Sequence, residues 1–181
     1  SRAAARSCCC STACVRPDWV WFAVDETSTG VRNPVEALHA RCRAHGADLC
    51  LDAVSAIGLQ PLELRGVRFA SAVSGKALGA LPGVAIVLHD GRLVPKGRIV
   101  SSLDLDAYRA ADGVAYTQPS GPVAALAVAL ERDWPARFAA IRAADARLRA
   151  GLRAQGFTLL ARDADAMPGV LTIVLPPAIG A

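Results

Sequence analysis

Four short apolar runs recur along the first half of the chain: WVWFAV (19–24), DLCL (48–51), FASAVS (69–74) and GVAIVLH (83–89). None keeps the strict polar–apolar alternation of a strand with one wet face, so each reads as a strand covered on both faces. Between the first two, NPVEALHARCRAHG (33–46) reads as a helix, with Asn33 as N-cap, Pro34 at the first helical position, Glu36 three residues after the cap and Gly46 as the stop. Buried strands separated by helical or loop crossovers imply an α/β fold with a mostly parallel sheet.

From Pro119 the texture changes. PVAALAVALE (122–131) is an apolar helix. PARFAAIRAADARLRAGLRAQG (135–156) is a longer amphipathic one, with Phe138, Ile141, Leu148 and Leu152 near helical spacing, a proline in its first turn and Gly156 at its end. FTLLA (157–161) and VLTIVLP (170–176) then read as strands of a smaller α+β unit. The expected organisation is an atypical segment over 1–16, part of a large domain over 17–119, and the start of a small C-terminal domain over 120–181. The chain begins with Ser and stops just after a strand-like run, so it reads as a piece of a longer protein.

A hydrophobic content of 53% and a mean hydropathy of +0.33 exclude disorder. No run nears the 18 or so apolar residues a membrane helix needs, and SRAAARSCCCSTAC lacks the apolar core of a secretory signal. The net charge of +4 is dispersed. Arginines gather between 132 and 153 at a spacing that suits the wet side of a helix, and no aromatic residues interleave with them, so no nucleic-acid partner is expected. Cys8, Cys9, Cys10, Cys14, Cys42 and Cys50 form no Cys-x-x-Cys pair; they read as free thiols of a cytoplasmic protein, and no metal is expected.

Ligands of open α/β sheets bind beyond the carboxyl ends of the strands. Three polar groups stand there: the ETSTG loop (26–30), Asp52 and Lys76. Lys76 is one of two lysines in a chain with eighteen arginines. A guanidinium stays charged, whereas a lysine can lose its proton and attack a carbonyl. Together these groups have the chemistry of a pyridoxal phosphate site: an amine for the cofactor aldehyde, a carboxylate to hold the pyridinium nitrogen protonated, and a hydroxyl near the ring oxygen. Taken singly, the remaining polar residues read as structural. Glu26 belongs to its loop, His39 and His45 to exposed or capping positions, His89 to a strand-end turn, and Lys96 to the surface.

DETSTGVRNPVEAL (25–38), ADLCLDAVSAIG (47–58) and VSGKALGALPG (73–83) resemble, in order and spacing, successive blocks of the class V aminotransferases. They are most similar to the alanine–glyoxylate and serine–glyoxylate branch, with 2-aminoethylphosphonate transaminases close behind. The resemblance implies fold type I of the pyridoxal-phosphate enzymes, a homodimer, and small amino acid and 2-oxo acid substrates. Carried over by position, it makes Lys76 the Schiff-base lysine and Asp52 the pyridinium partner. Val54 then packs under the ring, and Thr27 is the hydroxyl near the ring oxygen. Thr117, in AYTQPSGP, resembles the residue that reaches the phosphate of the neighbouring subunit's cofactor. VSGK is shorter than the relatives' stretch and places Gly75 where they have a polar residue, which leaves phosphate contact to Ser74 or backbone amides. The absence of a histidine before the lysine argues against cysteine desulfurase activity. The glycine-rich phosphate loop, the ring-stacking aromatic and the substrate-gripping arginine of the family are missing. The alternative to a transaminase is therefore a non-catalytic remnant that acts at most as a dimerisation module.

Overall fold

A computed structural model describes residues 17–93 and 99–175. Lys96 and the cysteines at 8, 9, 10 and 14 lie outside these residues. In chain order the elements are β1 (Trp19–Ala23), β2 (Asp25–Glu26), β3 (Val31–Arg32), α1 (Val35–His45), β4 (Asp48–Asp52), β5 (Phe69–Val73) and β6 (Ala85–His89). There follow α2 (Leu105–Ala110), α3 (Ser120–Leu130), α4 (Trp134–Ala154), β7 (Thr158–Leu159) and β8 (Ile173–Val174). No described helix is long and apolar enough to cross a membrane.

The main sheet has the order β1-β4-β5-β6. β1 and β5 flank β4 in parallel, with Ala23 opposite Asp52 and Asp52 opposite Ser71. β6 runs antiparallel to β5. The connection from Ser74 to Val84 is shorter than the dozen or so residues of a parallel crossover, so the chain must turn straight back. The mostly parallel sheet is thus present, and Lys76 sits in its one antiparallel connection.

β4 is the fully covered strand that its apolar run implies, with Leu49, Cys50 and Leu51 buried. The core around it joins Val24, Val35, Cys42, Ala53, Ala56, Val67, Ala70 and Met167. Cys42 and Cys50 are buried free thiols. β1 and β6 depart from the expectation of strands covered on both faces: Trp19 and Trp21 are exposed, Trp21 by 61%, and so are Val87 and Leu88. Among the described residues β1 pairs only with β4, so it is an edge strand. At the end of the sheet where β4 starts, Arg68 is buried between Asp48 and Asp90 and lies over the rings of Trp19 and Phe69.

Two helix expectations need correction. Asn33 does not cap α1. Its Nδ2 donates to the Ala23 carbonyl at 2.7 Å, tying the helix entry to the end of β1, and Pro34 takes the cap position without a side-chain bond. Gly46 ends the helix as expected, in the left-handed conformation. In α4 the arginines do not all face water. Arg149 is only 4% exposed, pairs with Asp145 at 2.7 Å and donates to the Val170 carbonyl at 2.9 Å. Arg137 reaches inward to the Ala77 carbonyl. Leu148, expected on the apolar face, is exposed. The two C-terminal runs pair antiparallel, but over only two residues each.

Candidate active site

The ETSTG stretch is the tight turn of the β2–β3 hairpin. Thr29 N–H and Gly30 N–H both donate to the Glu26 carbonyl. The turn is tied to the C-terminal part of the chain, because Met167 N–H donates to Gly30 O and Thr172 Oγ1 donates to Ser28 O. Thr27 is exposed at the head of this turn.

Asp52 is the last residue of β4. Its Oδ1 accepts from Val54 N–H at 3.0 Å and from Ser71 Oγ at 3.3 Å. Ser71 can do so because parallel pairing sets it directly opposite. Among the described residues both donors fall on Oδ1 and none on Oδ2. Val54 follows in a half-buried position.

Lys76 stands in the β5–β6 connection with an exposed side chain. The connection is closely built. Ser74 is fully buried; its hydroxyl donates to Leu81 O at 2.7 Å and accepts from Val84 N–H at 3.2 Å. Its single proton is therefore committed inside the loop. Gly75 lies against Pro82: a Cβ there would be 2.7 Å from the proline Cβ. This accounts for the missing polar side chain before the lysine. Gly58, in the turn after β4, lies against the same loop. With φ of +95°, its Cβ would be 2.7 Å from the Ala77 carbonyl. Asp52 and Lys76 are thus carried by segments in direct backbone contact.

One more carboxylate stands in this region. Asp25, at the start of β2, is 3% exposed. Its Oδ1 accepts from Ser55 Oγ at 2.9 Å, and its Oδ2 is buried without a hydrogen-bond partner. Burial pushes its carboxyl above the ordinary range; the Ser55 bond and the positive Lys76 oppose that shift, while Asp52 and Glu26 add to it. Asp25 therefore lies within electrostatic reach of both Asp52 and Lys76. The signal was available, since Asp25 closely follows an apolar strand, as Asp52 ends one. Thr117 is exposed in the stretch between α2 and α3, and no hydrogen bond among the described residues joins it to this group. No cluster of three metal-binding side chains occurs among the described residues.

The sequence profile of the family "Aminotransferase class-V" matches residues 14–101. A 2-aminoethylphosphonate–pyruvate transaminase of Paraburkholderia xenovorans is 34% identical over 165 residues, covering 83% of this chain and 45% of the relative. The corresponding protein of Burkholderia mallei is 36% identical over 167 residues, covering 84% and 45%. The chain thus spans less than half the length of these curated relatives. Among solved structures, the alanine–glyoxylate aminotransferase of Nostoc sp. superposes with a TM-score of 0.79 at 25% identity, over 90% of this chain and 47% of that one. The ureidoglycine–glyoxylate aminotransferase of Bacillus subtilis gives 0.74 at 26%, over 90% and 46%. Family profile, curated relatives and solved structures agree, and this chain belongs to the class V aminotransferase family, on fold type I of the pyridoxal-phosphate enzymes.

Proposed function

We propose that this chain carries the lysine-bearing half of a pyridoxal-phosphate transaminase site, which moves an amino group from a small donor to a 2-oxo acid such as pyruvate or glyoxylate. The observation that carries this reading is that Asp52 ends one strand and Lys76 follows the carboxyl end of the adjacent parallel strand, on segments that touch where Gly58 lies against Ala77. The residues fit the cofactor: an exposed amine, a carboxylate with hydrogen bonds on one oxygen only, and a buried carboxyl with an orphan oxygen nearby. Pyridoxal phosphate, when bound, supplies an aldehyde for the lysine and a ring that accepts electrons.

In this reading Lys76 is the covalent residue and then the base that carries a proton to and from the substrate carbon. Asp52 holds the ring nitrogen protonated, and the two donors on its Oδ1 fix the direction of its other oxygen. Thr27 orients the ring oxygen, and Val54 packs beneath the ring. We assign Ser74 to holding the loop rather than to the phosphate, since its proton is spent on Leu81 O. Thr117 is proposed to act across a homodimer. Exposed apolar side chains on its own segment, Val114 and Tyr116, and on α3, Val123 and Val128, support such an interface. We place the change to the small domain near residue 120, after the last strand of the main sheet.

For the donor, the curated relatives' names favour 2-aminoethylphosphonate with pyruvate, and the structural neighbours' names favour a small amino acid with glyoxylate. The test is to follow amino-group transfer by NMR in the presence of pyridoxal phosphate. With 2-aminoethylphosphonate and pyruvate, the donor loses its amine to become an aldehyde and pyruvate becomes alanine. With alanine or serine and glyoxylate, glycine forms. One of these products, absent with Lys76→Ala, is expected. The absence of both products overturns catalysis by this chain and favours the remnant.

A further inference from the structure

The segment that follows Lys76 is gripped by two arginines from a remote part of the chain. Arg132, in the turn between α3 and α4, donates from Nη1 to Leu78 O at 2.8 Å and from Nη2 to Gly79 O at 3.1 Å. Arg137, in the first turns of α4, donates from Nη2 to Ala77 O at 3.2 Å. Three consecutive carbonyls, starting one residue after the lysine, thus accept from guanidinium groups more than fifty positions away in sequence. The planar fork of Arg132 matches two neighbouring carbonyls in a way that a lysine ammonium cannot. The Trp134 ring backs Arg137, whose guanidinium carbon is 5.9 Å from its centroid. Gly58 also lies against the segment, at Ala77, and Ser74 ties its base to Leu81 and Val84. Inside the segment, Gly79 N–H donates to Lys76 O and Ala80 N–H to Ser74 O.

We infer that Arg132 and Arg137 are positioning residues for Lys76: they clamp the carbonyls of Ala77, Leu78 and Gly79 and so hold the lysine's backbone in one conformation toward Asp52. This rests on the transaminase reading for the task of Lys76, but not for the clamp itself. The clamp ties the lysine loop to the α3–α4 corner, so a shift of that corner moves the lysine. Neither arginine touches the carboxylate or the amine directly.

The test uses the full chain without cofactor first. Hydrogen exchange is compared at Gly79 and Ala80, in the loop, and at Leu49 and Leu51, in β4. In Arg132→Gln the loop amides are expected to exchange about tenfold faster while the β4 amides keep their rates, the scale set by loss of hydrogen bonds to a charged donor. Covalent capture of pyridoxal phosphate at Lys76 is then followed by mass spectrometry as a function of pH. Its rate is expected to fall, and its pH profile to move, in Arg132→Gln and Arg132→Lys. Arg137→Lys keeps a single donor and is expected to retain most of the rate that Arg137→Gln loses. Arg142→Gln, an exposed change on α4, serves as the control. Unchanged loop exchange in Arg132→Gln overturns the clamp. So does an equal acceleration in β4, which marks general loss of stability. If loop exchange responds but the unaltered protein captures no cofactor, the clamp stands and the transaminase reading fails.

Discussion

Asp25 carries a consequence of its own. A buried carboxyl with one oxygen unpartnered is costly as an anion, and burial holds it protonated to higher pH than usual. The folded state then binds a proton more tightly than the unfolded chain. Its contribution is greatest below the unfolded carboxyl's range and is lost as pH rises through the raised value. Asp25→Asn, which keeps an acceptor for Ser55, is therefore expected to flatten this decline, gaining on the unaltered protein as pH rises above the usual carboxylate range. Urea melts at stepped pH read this directly, and parallel curves for the two proteins contradict it. At this scale Asp52 and Lys76 were legible because both stand at strand ends and the lysine is rare. Asp25 obeys the same rule, but the polar ETSTG stretch directly after it hides the strand end it marks. The burial of Ser74 was not legible, because only the closed loop shows that its hydroxyl faces Leu81 and Val84.

Among the elements, the four strands of the main sheet were read within two residues, since apolar runs bounded by polar residues mark where a sheet can be buried, whereas the short β2–β3 hairpin carries no such run and reads as a loop. What the pattern did not carry was direction and partner. The antiparallel return of β6 follows from connection length, whereas nothing in the unbroken apolar run marks that the face of β1 shared by Trp19 and Trp21 is exposed. In α4, periodicity placed the arginines on a wet face, yet Arg149 is enclosed by tertiary partners. Asp145 pairs with Arg149 and also accepts from Gly169 N–H, so the two side chains fasten the turn at Met167–Val170 to the helix. Removing one partner of a buried pair leaves the other charge uncompensated. Arg149→Ala is expected to destabilise the protein by about 3 kcal/mol, read as a lower urea midpoint. A change within a few tenths of that midpoint's uncertainty contradicts the docking role.

Over the whole molecule, the parts fit one arrangement. A parallel β1-β4-β5 core brings the ends of its strands together, the β5–β6 connection carries the lysine, and the α3–α4 corner holds that connection from outside. The apolar side chains of Val128, 67% exposed, and Leu130, 54% exposed, face water on α3, in keeping with the proposed homodimer. On the proposed function, this arrangement builds one cofactor-binding lysine. The direct measurement is to incubate the purified chain with pyridoxal phosphate, reduce with borohydride and map the adduct by mass spectrometry, with Lys76→Ala and Asp52→Asn in parallel. The expected result is one adduct per chain, on Lys76, lost in Lys76→Ala and diminished in Asp52→Asn. Labelling shared between Lys76 and Lys96, or none at all, contradicts it.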